Sequence, residues 1–305
     1  MSELRTIQGQ DMKVEIERLG DGPIIRPDMD SRMGDNVNGP SLIEVPEWIP
    51  DPLGRYYLYF AHHNGGYIRL AYADSLTGPW QTHEAGVLPL AESHFEGHIA
   101  SPDVYVDADA QRIRMYFHGA KTPMGRDSPQ FTRAALSTDG LHFQARAEIL
   151  GEPYMRGFHH DGWHYAIAMP GVFYRSRDGL SDFETGPTLF NPDMRHAAVL
   201  VRGNRLLVFY TQVGEMPERI LLSEIDLTSA WTDWRPSAPR VLLEPERDYE
   251  GANLTLRPSI RGVSHDPVRE LRDPGIFEAE DALYLLYSVA GEKGIALARM
   301  TLQEE

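Results

Sequence analysis

The residues able to do chemistry fall at the ends of short apolar runs. "RELRDPGIF", from Arg269, sets Arg272 and Asp273 directly ahead of "GIFEAEDALYLLYS". A charged pair against a buried strand is costly unless compensated, so the pair is expected at a polar rim. The same placement recurs upstream. "DNVNGPS" offers Asp35 and Asn38, and "HFEGHIASPDV" offers His94, Glu96, His98, Ser101 and Asp103. "PYMRGF" offers Arg156, and "DMRHAAV" offers Arg195 and His196. His62, His63 and His118 close later apolar runs, and Arg133 opens another. Two carboxyl groups, one protonated and one ionised, would give general acid–base chemistry. Asp273, Glu96, Asp103 and Asp35 are the candidate acids and bases. Arg272 beside Asp273 is expected to hold that carboxylate ionised, and Pro274 to bias its backbone toward an extended form.

The remaining polar residues read as substrate contacts: Asn38, His62, His63, His98, Ser101, His118, Arg133, Arg156, Arg195, His196 and Arg272. Arg pairs bidentately with carboxylate, sulfate or phosphate. A basic mouth in a chain of formal net charge -16 therefore points to an anionic ligand group. A different chemistry starts from "HFEGH". An extended chain puts His94, Glu96 and His98 on one face. With His118 or His196 they would hold a divalent cation in a central channel. Otherwise no cofactor is required.

The elements that must position these residues are strands. "RYYLYFAHH", "RIRMYFHGA", "WHYAIAMPG", "RLLVFYTQV" and "ALYLLYSVA" suit pleated, largely buried strands. Each follows a shorter apolar strand across a turn and precedes a third. Four of the units then run into an acid, a turn and a closing aromatic: "ADSLTGPW", "STDGLHF", "SRDGLSDF" and "EIDLTSAWTDW". Repeated antiparallel units with this punctuation read as propeller blades. The expectation is an all-β, five-bladed β-propeller forming one domain over residues 1–305, with "MKVEIERL" near the N-terminus closing the last blade. In a propeller the first strand of each blade lines the channel. The start of strand one and the end of strand two meet at one mouth, which gathers the residues named above.

At this level the chain resembles the five-bladed propeller glycoside hydrolases, the family 43 arabinanases and xylosidases with their invertase-like and family 117 relatives. "SPDVYVDAD", "RHAAVLVRGNRLLVFY" and "RDPGIFEAEDALYLLYSVAGEKGIALA" carry the resemblance. It implies a glycosidase cleaving a small oligosaccharide in the central pocket, the basic mouth favouring a uronate or sulfated sugar. It also implies departures. The blade-one Asp falls on Asn38 or Gly39, the blade-two Asp on Ser101, and Glu152 is out of register with the blade-three acid. A metal-assisted sugar lyase or hydrolase and a non-catalytic carbohydrate-binding propeller are the alternatives.

The rest of the composition narrows the partners. The acidic balance argues against nucleic acid and anionic membranes, which reward basic surfaces. The chain has no cysteine, which removes thiolate chemistry and disulfides. No run approaches the roughly 18 apolar residues of a membrane span, and "MSELRTIQGQ" lacks signal-peptide character. A cytoplasmic protein is expected, its oligomeric state left open.

Overall fold

The computed structural model describes residues 12–303 except 64, 124–127 and 281; the opening "MSELRTIQGQ" lies outside them. Five antiparallel sheets follow one another along the chain and form the five blades of a propeller. Blade one is built from Asn38–Glu44, Tyr56–Ala61, Tyr67–Ala73 and Gln81–Thr82. Blade two uses Ile99–Asp107, Arg112–Ala120, Gln130–Ser137 and Gln144–Ala145, and blade three Arg156–His160, Trp163–Ala168, Val172–Ser176 and Glu184–Thr188. Blade four uses Met194–Arg202, Arg205–Gln212, Ile220–Asp226 and Arg240–Leu243. Blade five takes Arg272–Glu278, Leu283–Val289 and Gly294–Gln303 from the C-terminal end.

The N-terminal strand Lys13–Leu19 completes blade five. It pairs antiparallel with Gly294–Gln303, from Lys13 opposite Gln303 to Leu19 opposite Leu297. The closing strand is also pinned from its edge. Arg18 donates through Nε and Nη2 to the two oxygens of the wholly buried Glu250, at 2.7 and 3.1 Å. Tyr287 and the backbone amides of Glu246 and Arg247 donate to the same carboxylate. Glu250, in the long loop before blade five, is therefore a structural clasp.

The repeated acid-and-turn phrase has a physical cause. Gly140 N donates to Ser137 Oγ, while Leu141 N and His142 N donate to Asp139 Oδ1. Ser176 and Asp178 make the same bonds with Gly179, Leu180 and Ser181. Each turn leads to an aromatic that packs between blades. Phe143 is buried with Tyr57, Tyr59 and Phe117, and Phe183 is partly buried against Tyr116, its ring centre 6.2 Å away.

Candidate active site on the propeller axis

The inner strands share one irregularity. In blades one, two, four and five the ladder between strands one and two slips, between Asn38 and Ser41, Ala100 and Asp103, Arg195 and Ala198, and Arg272 and Gly275. Two residues there oppose one on the partner strand, which defines a β-bulge. The first residue of every bulge has a left-handed backbone: Gly39 (φ 59°), Ser101 (φ 47°), His196 (φ 52°) and Asp273 (φ 50°). Blade three places Tyr154 (φ 63°) just ahead of its inner strand. Non-glycine residues held there cost of order 1–3 kcal/mol each and concentrate at functional sites. Asp273 is thus not extended, as its proline neighbour suggests. The bulge overrides that bias.

Four of these residues, Ser101, Tyr154, His196 and Asp273, line a cavity of about 490 Å³ together with Asn38, His63, His98, His118, Glu152 and Arg195. Gly39 meets Ser101 at the axis: a Cβ on Gly39 would lie 2.6 Å from Ser101 Cα. An aspartate at position 39, as the resemblance would have it, has no room.

Asp273 is the best-defined acid of the cavity. Tyr154 Oη donates to its Oδ1 at 2.7 Å, and His196 Nε2 lies 3.8 Å from the same oxygen. Oδ2 is buried with no partner among the described residues. Burial, and then the charge of Glu292, raise the Asp273 carboxyl above the ordinary range, outweighing the opposing effects of Tyr154, His63 and Arg272. Arg272 does not hold it ionised, because its guanidinium is engaged elsewhere. Nε donates to Glu270 at 2.8 Å and Nη1 to Glu292 at 2.9 Å, with Glu218 Oε2 at 3.8 Å from Nε. Arg195 pairs through Nε and Nη2 with Glu218, at 2.8 Å for Nε. Glu218 and Glu292 are wholly buried and Glu270 almost so.

This inner salt-bridge cluster changes the electrostatics expected from the sequence. Arg272 is shut away behind the cavity wall, and Arg195 reaches the cavity already neutralised. Arg156 lies in the lower channel rather than in the cavity. Its side chain donates to the carbonyls of Ala197, Ser101 and Met155. Its guanidinium carbon also sits 4.1 Å from the centre of the Tyr154 ring. Burial lowers His98 to about 4 and pushes His118 and His196 well below the ordinary histidine range. The charges of Arg195 and Arg272 are thus neutralised by glutamates, while Arg261 stays on the cavity lining with its side chain 57% exposed.

Other expected site residues are placed elsewhere. Asp103 faces the far end of the channel, where Tyr105 and the Gly157 amide donate to it and stitch blade two to blade three. Asp35 is exposed and meets His265 and Lys293. Glu96 and His94 are exposed while His98 is buried, so "HFEGH" does not present one face. Among the described residues no group of three or more His, Asp or Glu is placed to hold a metal ion. His62 lies behind the cavity, 2.8 Å from Arg69, with its basicity reduced to about 4 by burial first and Arg69 second. Arg133 packs over Phe95 and donates to His94 O.

Sequence reasoning missed Glu292, Glu218 and Glu270. Glu292 was the most accessible to it, in "AGEKG" just after the second strand of blade five, the position that supplies His62 and His63 in blade one.

The fold is a five-bladed propeller, similar to those of solved glycoside hydrolases. A putative glycoside hydrolase from Parabacteroides distasonis superposes with a TM-score of 0.65 at 14% identity, covering 95% of this chain and 96% of that one. A structure from the GH130 family of mannoside phosphorylases and glycoside hydrolases gives 0.65 at 13%, covering 93% of each chain. A GH43 β-xylosidase/α-arabinofuranosidase from a compost metagenome, in complex with xylotriose, gives 0.58 at 13%, covering 94% and 95%. At such identities the likeness is one of fold. No family model matches the chain. The uncharacterized protein R118 of Acanthamoeba polyphaga mimivirus is 36% identical over 299 residues, 87% of this chain and 83% of that protein. The chain belongs to the family of that protein. Among the described residues no helix is long and apolar enough to cross a membrane.

Proposed function

We propose that the protein is a glycosidase that binds a small oligosaccharide in the axial cavity, with Asp273 as proton donor to the leaving oxygen. One observation carries this reading: three buried polar atoms of the cavity residues, Asp273 Oδ2, Asn38 Oδ1 and His118 Nδ1, lack partners among the described residues. Unmade hydrogen bonds of buried groups cost about 1–3 kcal/mol each, a cost that sugar hydroxyls would relieve once these side chains turn toward the cavity. The volume lies within the roughly 300–1,000 Å³ of small-molecule sites. A carboxyl whose hold on its proton is strengthened by burial suits a general acid, and the xylotriose complex of a fold neighbour fits the same ligand class. Because glutamates already neutralise Arg195 and Arg272, the substrate we propose is an uncharged sugar, read through its hydroxyls rather than a uronate or sulfate. The reading needs no cation, and dialysis against a chelator is expected to leave sugar affinity unchanged.

The test is product analysis on neutral and uronate-containing oligosaccharides with wild type and Asp273→Asn. Turnover of a neutral oligosaccharide should fall by at least about 10²-fold in the variant, the lower range for loss of a general acid, with the fold retained. Near-normal turnover would overturn the assignment. A second reading, a sugar-binding propeller without turnover, is favoured by Asn38 or Gly39, and Ser101, standing where the resemblance puts acids. Calorimetric binding without product formation identifies it.

A further inference from the structure

Asp273 can give a proton to a leaving group, but hydrolysis also needs a group that takes one from water. Neither Gly39 nor Ser101 can. The loop after the second strand of blade one brings His63 into the cavity, its side chain 32% exposed. Its Nδ1 lies 2.7 Å from Glu292 Oε2. The other Glu292 oxygen accepts from Arg272 Nη1 at 2.9 Å, and its backbone carbonyl accepts from Val37 N at 2.9 Å. Asn38 Nδ2 lies 3.4 Å from Oε2 and 3.1 Å from the His63 ring nitrogen. The His63 amide donates to Asn36 Oδ1 at 2.8 Å. Ring and backbone are thus both fixed. An ionised carboxylate at Nδ1 assigns the ring proton to that nitrogen and leaves the Nε2 lone pair free. Burial works against ionisation of Glu292, but His63, Arg272 and Asn38 more than offset it and draw its carboxyl below the ordinary range.

We propose that His63, oriented by Glu292, is the general base that activates the attacking water. The proposal rests on the glycosidase reading above. The water oxygen forms the new bond to the anomeric carbon as the bond to the glycosidic oxygen breaks. The water's proton passes to His63 Nε2, and the Asp273 proton passes to the leaving oxygen. Both groups are reset by exchange with solvent. Water attacking opposite the leaving group inverts the anomeric centre. Glu292 is a positioning residue, reaching the reaction only through His63. Its charge also raises the Asp273 carboxyl, so one buried glutamate acts on both partners. The titratable groups on which the His63 charge acts are Glu292, Asp273, His62, His98, His118 and His196.

The experiment uses the full chain and the neutral oligosaccharide best turned over by wild type. His63→Ala should lose at least about 10²-fold in kcat, and added azide should restore turnover with a glycosyl azide of inverted configuration. ¹⁵N-histidine spectra should show the Nδ1–H form at His63 in wild type and its loss in Glu292→Gln. If His63→Ala does not fold, His63→Gln carries the same test. Variants at His63 that retain turnover while Asp273→Asn is inactive overturn this proposal alone. Normal turnover in the variants at both positions overturns the Asp273 assignment as well, and binding without turnover in wild type overturns the glycosidase reading. Inactivity without azide rescue in a folded His63→Ala also sinks the base.

Discussion

Asp273 is costly where it stands. Its folded-state carboxyl is raised by burial, so its contribution to stability is fully present below the unfolded value of about 3.9 and is lost as pH rises through the folded value. At neutral pH the residue therefore opposes folding. Asp273→Asn keeps an acceptor for the Tyr154 hydroxyl and removes the titration. The variant should melt higher than wild type at pH 7, and the two should converge as pH falls toward 4. A variant that is less stable at pH 7 would show Asp273 to be a structural ion-pair partner. Gain of stability with loss of turnover is the usual sign of a residue kept for function.

At the scale of elements, the closing strand depends on one buried contact. Arg18 is the cation for Glu250, whose side chain is wholly buried. Removing one partner of a buried pair leaves an uncompensated charge and costs about 3–5 kcal/mol. Arg18→Ala should lower stability by that order in a denaturant titration, whereas Lys13→Ala, whose partner is exposed, should change it by less than about 0.5 kcal/mol. Equal effects would remove Glu250 from its role as clasp. The strand itself was legible in the sequence, because "MKVEIERL" alternates and the last unit lacked an outer partner. So were the blades, through the aromatic strands and the Ser-x-Asp-Gly turns around Asp139 and Asp178. The bulges were half legible. Gly39-Pro40, Ser101-Pro102 and Asp273-Pro274 mark them, but an X-Pro step by itself argues for extended backbone. Only the pairing with strand two forces the left-handed turn. What the arginines face was not legible, because the partners of Arg195 and Arg272 include Glu218 and Glu292, 23 and 20 residues away. Charge counted along the chain shows the cations and not their neutralisation.

For the whole molecule, the axis is a column of neutral histidines surrounded by apolar wedges. His98, His118 and His196 are buried in the cavity wall, with the Tyr154 ring tilted against both neighbours, 5.2 Å from His196 and 5.9 Å from His118. Burial is the largest cause of the lowered basicity of each, followed by neighbouring histidine or arginine charge. A lowered folded value means that the stabilising contribution is present above the unfolded histidine value, about 6.5, and is lost as pH falls. For His98 the loss runs down to about 4, a span worth on the order of 3–3.5 kcal/mol. All five blades meet at this column, so protonation there acts on the closed ring rather than on one blade. The urea midpoint should therefore hold near pH 7.5 and fall steeply between about 6.5 and 4. In a His98→Gln, His118→Gln double variant the same titration should be flatter, since two of the groups that must be charged on unfolding are gone. If the double variant follows the wild-type curve, the acid sensitivity belongs to the carboxylate network of Glu218, Glu270 and Glu292, and the histidine column does not limit the fold.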